Sequence, residues 1–153
     1  PCALPLINHI EKLSYMLNDT KRNWETKVTV LIGEPGTGKT KHVHEKEPDL
    51  YTVPEPTSTV WFDGYKGQEA VLFDDFNGNI RYHLMLQLLD RYPMQVNVKG
   101  GTTNWCPKRI YITSNKEVKE WYFDTKALER RITNMYRCTE VAGNTKPPLE
   151  QRI

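Results

Sequence analysis

The sequence predicts an α/β fold in which helices flank a mostly parallel central sheet. Runs of strand-forming residues alternate with helical patterns, a glycine-rich turn joins an early strand to a helix, and polar residues directly follow two apolar strands. With 153 residues, the chain is long enough to form one domain with a single core. Ligands of such sheets bind at the carboxyl ends of the strands, so the residues that follow the strands are the candidates for function.

The apolar spacing places the elements in chain order. Residues 4–17 carry leucine and isoleucine at helical spacing, which predicts a short amphipathic helix. A strand at Val28–Ile32 precedes the glycine-rich turn and a helix. The pattern further predicts strands at Ser58–Phe62, Ala70–Phe73, Met94–Val98 and Arg109–Thr113, and helices at Ile80–Tyr92 and Lys126–Ile132. The tail from Ala142 onward is rich in turn-forming residues, and we expect it to be flexible.

The composition narrows the class of protein. The net charge of +2 and the pI near 8.5 are too mild to indicate a nucleic-acid partner by themselves. Cys2, Cys106 and Cys138 lie far apart without metal-binding spacing, which favours reduced thiols in an intracellular compartment. The sequence shows neither a membrane-spanning apolar stretch nor a signal-peptide pattern. Because it begins at Pro1 rather than Met, we expect a piece of a longer protein.

Residues 33–40 form a complete Walker A phosphate loop. They read Gly33-Glu34-Pro35-Gly36-Thr37-Gly38-Lys39-Thr40. The glycines let backbone N–H groups surround a polyphosphate, the lysine reaches the β- and γ-phosphates, and the Thr40 hydroxyl can bind Mg²⁺. The alternative is a glycine-rich turn that only joins strand to helix, but the required strand and helix are both present. The loop therefore predicts binding of a nucleoside triphosphate.

Two adjacent carboxylates, Asp74 and Asp75, follow the apolar strand Ala70–Phe73. A phosphate-loop enzyme needs one acid to hold Mg²⁺ through its water shell and a second group to orient the attacking water. Alone, the pair could equally be a solvated turn after a strand. Next to a Walker A loop, it predicts the second half of a nucleotide site.

Polar residues farther along the chain are weaker candidates. Asn115 follows the strand Arg109–Thr113, where it can hydrogen-bond a γ-phosphate or the attacking water, although Ser-Asn is also ordinary turn chemistry. Arg130 and Arg131 lie on a predicted helix and could supply a guanidinium to a neighbouring subunit's phosphate. The alternative for both arginines is a solvated helix face.

These motifs, taken in order, resemble the superfamily 3 helicase domain of replication-initiator proteins from circular single-stranded DNA viruses, chiefly circoviruses and cycloviruses. The resemblance extends from about Trp24 to Val141. The segments that carry it are Gly33 to Thr40, Trp61 to Tyr65 with Gly67-Gln68-Glu69, Asp74-Asp75-Phe76, Asp90 to Pro93, Lys99 to Thr102, Ile112 to Asn115, Glu120-Trp121-Tyr122 and Arg130-Arg131-Ile132.

The resemblance implies a P-loop NTPase of the AAA+ and superfamily 3 type, with ATP and Mg²⁺ as cofactors. It implies that Lys39 and Thr40 contact phosphate and metal, that Asp74 and Asp75 are the Walker B acids, and that Asn115 is a sensor. Arg130 or Arg131 would act on the partner subunit. Lys39, Asp75, Asn115, Arg130 and Arg131 are thus the candidate catalytic residues, and Thr40 with Asp74 the candidate metal ligands.

The resemblance also implies a hexameric ring around single-stranded DNA, with each ATP site between neighbours, acting in the host cell nucleus. Residues 1–23 would belong to a helical oligomerisation segment, 24–141 to the ATPase domain and 142–153 to a flexible tail. The family's other half is an endonuclease with an HUH metal motif. His42-Val43-His44 matches those letters but falls in the helix after the phosphate loop, so the nuclease is expected outside this chain.

A glycine-rich turn at Lys99-Gly100-Gly101 is the candidate DNA contact. The glycines allow backbone to approach a phosphate and Lys99 supplies charge. Without the resemblance, an ordinary hairpin turn would be favoured. Trp105, just beyond, could stack a base, but core packing is the favoured role.

A ring-forming, ATP-driven DNA helicase is the function that the sequence favours. One alternative is a nucleotide-binding oligomerisation module with little unwinding activity, and another is a small-molecule kinase on the same loop. A kinase needs a basic lid, for which the sequence shows no clear candidate.

Overall fold

The computed structural model describes residues 17–56, 59–138 and 149–152. Their strands are β1 (Lys27–Ile32), β2 (Leu50–Thr52), β3 (Ala70–Phe73), β4 (Gln95–Val98), β5 (Gly101–Asn104), β6 (Arg109–Ser114), β7 (Asn134–Cys138) and β8 (Leu149–Arg152). The helices are α1 (Lys39–Lys46), α2 (Tyr82–Leu88) and α3 (Lys126–Arg131), with a 3₁₀ turn at Val118–Glu120.

A six-stranded sheet in the order β2-β3-β6-β1-β7-β8 forms the centre of the described residues. The first five strands of that order are parallel, and β8 pairs antiparallel with β7. Strands β4 and β5 form a separate antiparallel hairpin. The α/β class with a mostly parallel sheet is therefore confirmed.

Strand side chains alternate between two apolar clusters on opposite faces of the sheet, as the pleat requires. Val30 of β1, Val71 of β3 and Ile112 of β6 belong to the larger cluster. Leu31 and Leu72 belong to the smaller one, together with Val43 of α1. Because both faces are covered, the central strands are buried and their carboxyl ends are held in fixed positions.

Trp105 lies at the centre of the larger cluster and is fully buried. Its ring packs edge-on against Phe62, with 5.1 Å between centroids, and its indole N–H donates to the carbonyl of Leu88 at 2.9 Å. The expectation of a core role for Trp105 is confirmed. Phe62 and Tyr65 therefore belong to the packing around Trp105, which directly follows β5, whereas Trp61 is exposed.

Two predicted elements were wrong in part. The predicted strand Ser58–Phe62 is absent from its described part, since residues 59–62 form no strand; residues 57 and 58 lie outside the described residues. Prolines before this segment and Gly64 after it keep it irregular. The predicted helix Ile80–Tyr92 is only α2, Tyr82–Leu88. It ends early because the buried Arg22 guanidinium donates to the carbonyls of Gln87 and Leu88, each at 2.7 Å.

The two chain ends were predicted as a helical segment and a flexible tail. Residues 1–16 lie outside the described residues, and residues 17–23 contain no helix. Residues 149–152 are strand β8 in the structure, so that part of the expected flexible tail is paired with β7. No helix in the described ranges has the length and apolar character needed to cross a bilayer.

Candidate nucleotide-binding site

The phosphate loop runs from the end of β1 to the start of α1 at the carboxyl edge of the sheet. Gly38 has a φ of +78° immediately before α1, a left-handed conformation that glycine adopts without steric cost. A Cβ at Gly33 would collide with the carbonyl oxygen of Cys138, so only glycine lets the loop lie against β7. The Gly33 N–H donates to the Ser114 carbonyl at 3.0 Å, which ties the loop to β6.

Lys39 is folded over the phosphate loop. Its Nζ donates to the carbonyls of Gly33 at 2.6 Å and Glu34 at 3.0 Å. Burial lowers the pKa of Lys39, and this shift is opposed by nearby groups including Cys138 and Asp75. An anion that takes the place of the two carbonyls would favour the charged ammonium. A bound phosphate would therefore raise the pKa of Lys39 and be stabilised by its charge.

Asp74 connects the phosphate loop to two neighbouring strands. Its Oδ1 accepts hydrogen bonds from the Thr40 hydroxyl at 2.6 Å and from the Thr113 hydroxyl at 2.8 Å. Thr40 lies in the first turn of α1, Asp74 follows β3 and Thr113 lies on β6, so three elements converge on one carboxylate oxygen. A hydroxyl and a carboxylate at this spacing are the oxygen ligands that Mg²⁺ takes from a protein.

Asp75 has a different environment from its neighbour. It has a φ of +51°, the only positive value among the described residues other than glycines. Its N–H donates to the Thr113 hydroxyl at 2.9 Å, which holds this uncommon backbone conformation. Asp75 is exposed and lines the same cleft as Asp74. The two adjacent carboxylates therefore reach one cleft from residues with different backbone conformations.

A cleft of about 450 Å³ lies above these groups. It brings together eight of the predicted residues: Pro35, Gly36, Gly38, Lys39 and Thr40 of the phosphate loop, with Asp74, Asp75 and Asn115. Asn115 also lines a neighbouring cavity of about 330 Å³ behind Gly33 and Glu34. Its position after β6 is supported by Ser114, whose hydroxyl donates to the Phe76 carbonyl at 2.6 Å and accepts from the Trp121 indole at 3.1 Å.

The predicted arginines lie away from this cleft. The Thr133 N–H, just after α3, donates to the carbonyl of Val28 near the start of β1 at 2.8 Å. Arg130 and Arg131 therefore lie near the amino-terminal ends of the parallel strands, whereas the cleft lies at their carboxyl ends. Arg131 pairs with Asp90 at 3.2 Å, and it donates to the Ala127 carbonyl at 2.9 Å. Arg130 is exposed. Neither arginine can serve the phosphate loop of its own chain from this position.

The predicted DNA-contacting residues are also separate from the cleft. Lys99 and Gly100 form the tip of the β4–β5 hairpin, and Gly101 begins β5. A Cβ at Gly100 or Gly101 would meet open space, so the tip is accessible. His44 is exposed on α1 and His42 partly so, and the described residues contain no cluster of three or more potential metal ligands.

Sequence reasoning missed two residues at the site. Thr113 ends the predicted strand Arg109–Thr113, but its bond to Asp74 depends on β6 lying beside β3. Cys138 carried no signal as an isolated cysteine, but the structure places it under the phosphate loop, and burial raises the pKa of its thiol.

Residues 29–116 match the family model described as RNA helicase. The chain belongs to the RNA helicase family. The chain is similar to several proteins named replication-associated protein. That of Goose circovirus is 42% identical over 144 residues, which are 91% of this chain and 47% of the relative. That of Porcine circovirus 2 is 42% identical over 120 residues, 75% of this chain and 38% of the relative. That of Beak and feather disease virus is 39% identical over 130 residues, 83% of this chain and 44% of the relative.

The helicase family and these relatives confirm the predicted resemblance to viral replication initiators. The chain spans less than half the length of the relatives it matches. It is thus a helicase-type domain of the kind that viral replication-associated proteins contain.

Proposed function

We propose that this helicase domain hydrolyses ATP at the interfaces of a hexameric ring and uses the energy to move along single-stranded DNA. The observation that carries the proposal is the convergence of Lys39, Thr40 and Asp74 with Asp75 and Asn115 on one cleft at the carboxyl edge of the sheet. A cleft of this composition serves phosphoryl transfer, in which catalysis consists mainly of positioning and charge stabilisation.

The residues of the cleft fit a triphosphate and Mg²⁺. When bound, Mg²⁺ neutralises charge that develops on the β- and γ-phosphates. Thr40 and Asp74 would hold it, since their oxygens already share a hydrogen bond at 2.6 Å. Lys39 would exchange its two backbone carbonyls for phosphate oxygens.

Water activation would be the task of Asp75 and Asn115. The Asp75 backbone is held by the bond from its N–H to Thr113, and its carboxylate lines the cleft, where it can accept a proton from an attacking water. Asn115 has both an amide donor and an acceptor with which to orient that water or a γ-phosphate oxygen.

The position of Arg130, outside the cleft of its own chain, supports an assembly with heterologous contacts. Arginine is worth most to phosphoryl transfer when it neutralises charge on the transferred group, and Arg130 lies near the edge of the sheet opposite its own phosphate loop. A closed ring would bring Arg130 of one subunit to the cleft of the next.

DNA contact is proposed for the hairpin tip, with Lys99 on phosphate and the backbone of Gly100 and Gly101 close to the strand. We also propose, from the resemblance alone, that the domain is covalently linked to a nuclease in the full-length protein and acts in the host cell nucleus.

ATP hydrolysis with and without single-stranded DNA, alongside solution mass, tests the proposal. We expect magnesium-dependent hydrolysis that DNA of no particular sequence stimulates and an oligomer in the presence of nucleotide. A matched RNA strand serves as the comparison ligand, because the family model is named for RNA. An oligomer that binds ATP but shows no response to DNA would indicate a nucleotide-binding oligomerisation module instead.

A further inference from the structure

Asp63 lies beside the hairpin tip, and its role is not explained by the nucleotide site. Its carboxylate Oδ1 accepts a hydrogen bond from the Lys99 backbone N–H at 2.8 Å. The side chain is half-buried, and it belongs to the irregular segment that precedes β3. A bond of this kind joins two segments separated by 36 positions along the chain.

The hairpin turn needs such support from outside. The turn has two central residues, Lys99 and Gly100, between the paired residues Val98 and Gly101. Gly100 has a φ of +92°, whereas Lys99 is not among the residues with positive φ. Hairpin turns whose twist matches the strands need positive φ at the first central residue, so this turn is not one of the favoured types. The Lys99 N–H finds its acceptor in Asp63.

The segment that carries Asp63 is itself fixed on both sides. The Phe62 N–H donates to the Asn97 carbonyl of β4 at 2.9 Å, and the Tyr51 hydroxyl donates to the Asp63 carbonyl at 2.9 Å. Tyr51 is buried on β2, the neighbour of β3 in the sheet. Asp63 thus connects the hairpin tip to β2, and Asp74 and Asp75 follow the adjacent strand β3.

We propose that Asp63 is a positioning residue, which holds the Lys99 tip in the orientation that contacts single-stranded nucleic acid. The inference rests on the proposed function of the hairpin. Asp63 acts through the Lys99 backbone and does not touch the strand itself. The negative charge of Asp63 alone would repel phosphates, so its removal would raise DNA affinity if electrostatics were its only effect. A positioning role predicts the opposite, a loss of DNA affinity.

Substitution of Asp63 in the full chain tests the proposal. Asp63→Ala removes the acceptor, and we expect affinity for a single-stranded oligonucleotide to fall about tenfold, the worth of one such hydrogen bond. Asp63→Asn keeps an acceptor oxygen and is expected to restore most of that affinity. Asp49→Ala, which removes an exposed carboxylate elsewhere, is the matched control and should not weaken binding.

Two further readouts separate positioning from a general loss of structure. Basal ATP hydrolysis should be unchanged in Asp63→Ala. Hydrogen exchange of the Lys99 amide, measured without DNA, should become faster in Asp63→Ala but not in Asp63→Asn. In Lys99→Ala, which keeps the same backbone N–H, Asp63→Ala should cause a smaller loss of DNA affinity than in the parent protein, since both changes act on the Lys99 contact.

Unchanged Lys99 exchange in Asp63→Ala would overturn the proposal, as would tighter DNA binding by both Asp63 variants. Faster exchange with unchanged DNA affinity would also overturn it. If Lys99→Ala binds DNA normally, the hairpin assignment in the proposed function fails instead, and the exchange experiment distinguishes this result from the others.

Discussion

The Thr40 hydroxyl donates to Asp74 Oδ1 at 2.6 Å, although β6 lies between the strands that precede these two residues. The bond spans the cleft because α1 begins where the phosphate loop ends and its first turn faces the end of β3. Thr113 of the intervening β6 donates to the same oxygen at 2.8 Å. A single carboxylate oxygen therefore sets the relative positions of three elements. We expect its removal to weaken metal binding more than it lowers the stability of the fold.

Asp74→Asn and Asp75→Asn should have different kinetic consequences. Asp74→Asn should weaken magnesium-dependent nucleotide binding, because a neutral amide is a poorer ligand for a hard cation. Asp75→Asn should bind ATP normally but hydrolyse it about a hundredfold more slowly, the lower end of the range for a lost general base. Nucleotide titrations with and without Mg²⁺, together with single-turnover rates, measure both effects. Equal losses of nucleotide affinity in the two variants would show that the roles are not divided in this way.

Lys39→Ala should abolish most ATP turnover while the protein stays folded. The variant removes the charge that would contact the β- and γ-phosphates, and loss of one such electrostatic contact lowers turnover by about a hundredfold or more. Lys41→Ala is the matched control, since Lys41 lines the same cleft but pairs loosely with Glu45 at 3.9 Å. Turnover by a folded Lys39→Ala protein at the rate of the control would refute the assignment of the loop.

The sequence predicts the local parts of this site and misses the parts that depend on the sheet. The phosphate loop is read from eight consecutive residues, and Asp74 with Asp75 from their place after an apolar strand. The Thr113 contact depends on the pairing of β6 with β3, which no local pattern encodes. Cys138 reaches the loop because β7 pairs with β1 in the folded sheet, although Asn134 lies 105 positions after its register partner Thr29.

The same distinction explains the errors in secondary structure. Apolar periodicity predicted a helix through Tyr92, but Arg22 binds the carbonyls at the end of α2 from a distant part of the chain. The segment up to Phe62 has strand-forming residues, yet within its described part, residues 59–62, the backbone bond to β4 is that between the Phe62 N–H and the Asn97 carbonyl. In both segments, tertiary contacts and not local propensity determine the secondary structure.

Arg131→Ala should lower stability by about 1 kcal/mol near neutral pH, the value expected of a partly exposed ion pair. Burial acts to raise the pKa of Asp90, but hydrogen bonds from the Arg91 N–H and Arg131 outweigh it and leave the pKa below its ordinary value. A carboxylate with a lowered folded pKa stabilises the protein above its unfolded pKa, and that contribution is lost as pH falls through the folded value.

The difference in unfolding free energy between the parent protein and Arg131→Ala should therefore shrink below about pH 4. Urea unfolding at several pH values measures it. Arg130→Ala is the control, because Arg130 is exposed on the same helix and its loss should change stability by less than about 0.5 kcal/mol. A pH-independent difference would mean that Arg131 acts through packing and not through Asp90.

Arg130→Ala should instead remove activity in the assembled ring. An arginine supplied by a neighbour accelerates phosphoryl transfer by about a thousandfold or more. Mixing Arg130→Ala chains with Lys39→Ala chains should restore part of the activity, since an intact cleft then meets an intact arginine at some interfaces. Arg131→Ala mixed in the same way tests the other arginine. If mixed rings form and neither mixture is active, the arginines have no role across the interface.

Lys99→Ala should leave basal ATP hydrolysis nearly unchanged and remove its stimulation by single-stranded DNA. The residue lies at the hairpin tip, and it does not line the phosphate cleft. If Lys99 contacts one phosphate, the slope of log affinity against log salt should decrease by about 0.7 for each subunit engaged. Lys27→Ala, which removes an exposed lysine at the start of β1, should leave that slope unchanged if Lys27 lies outside the DNA path. Binding measured from low to moderate salt distinguishes the variants. Retained DNA stimulation with an unaltered slope in Lys99→Ala would make the tip an ordinary hairpin turn, and the cleft would then drive assembly without movement along DNA.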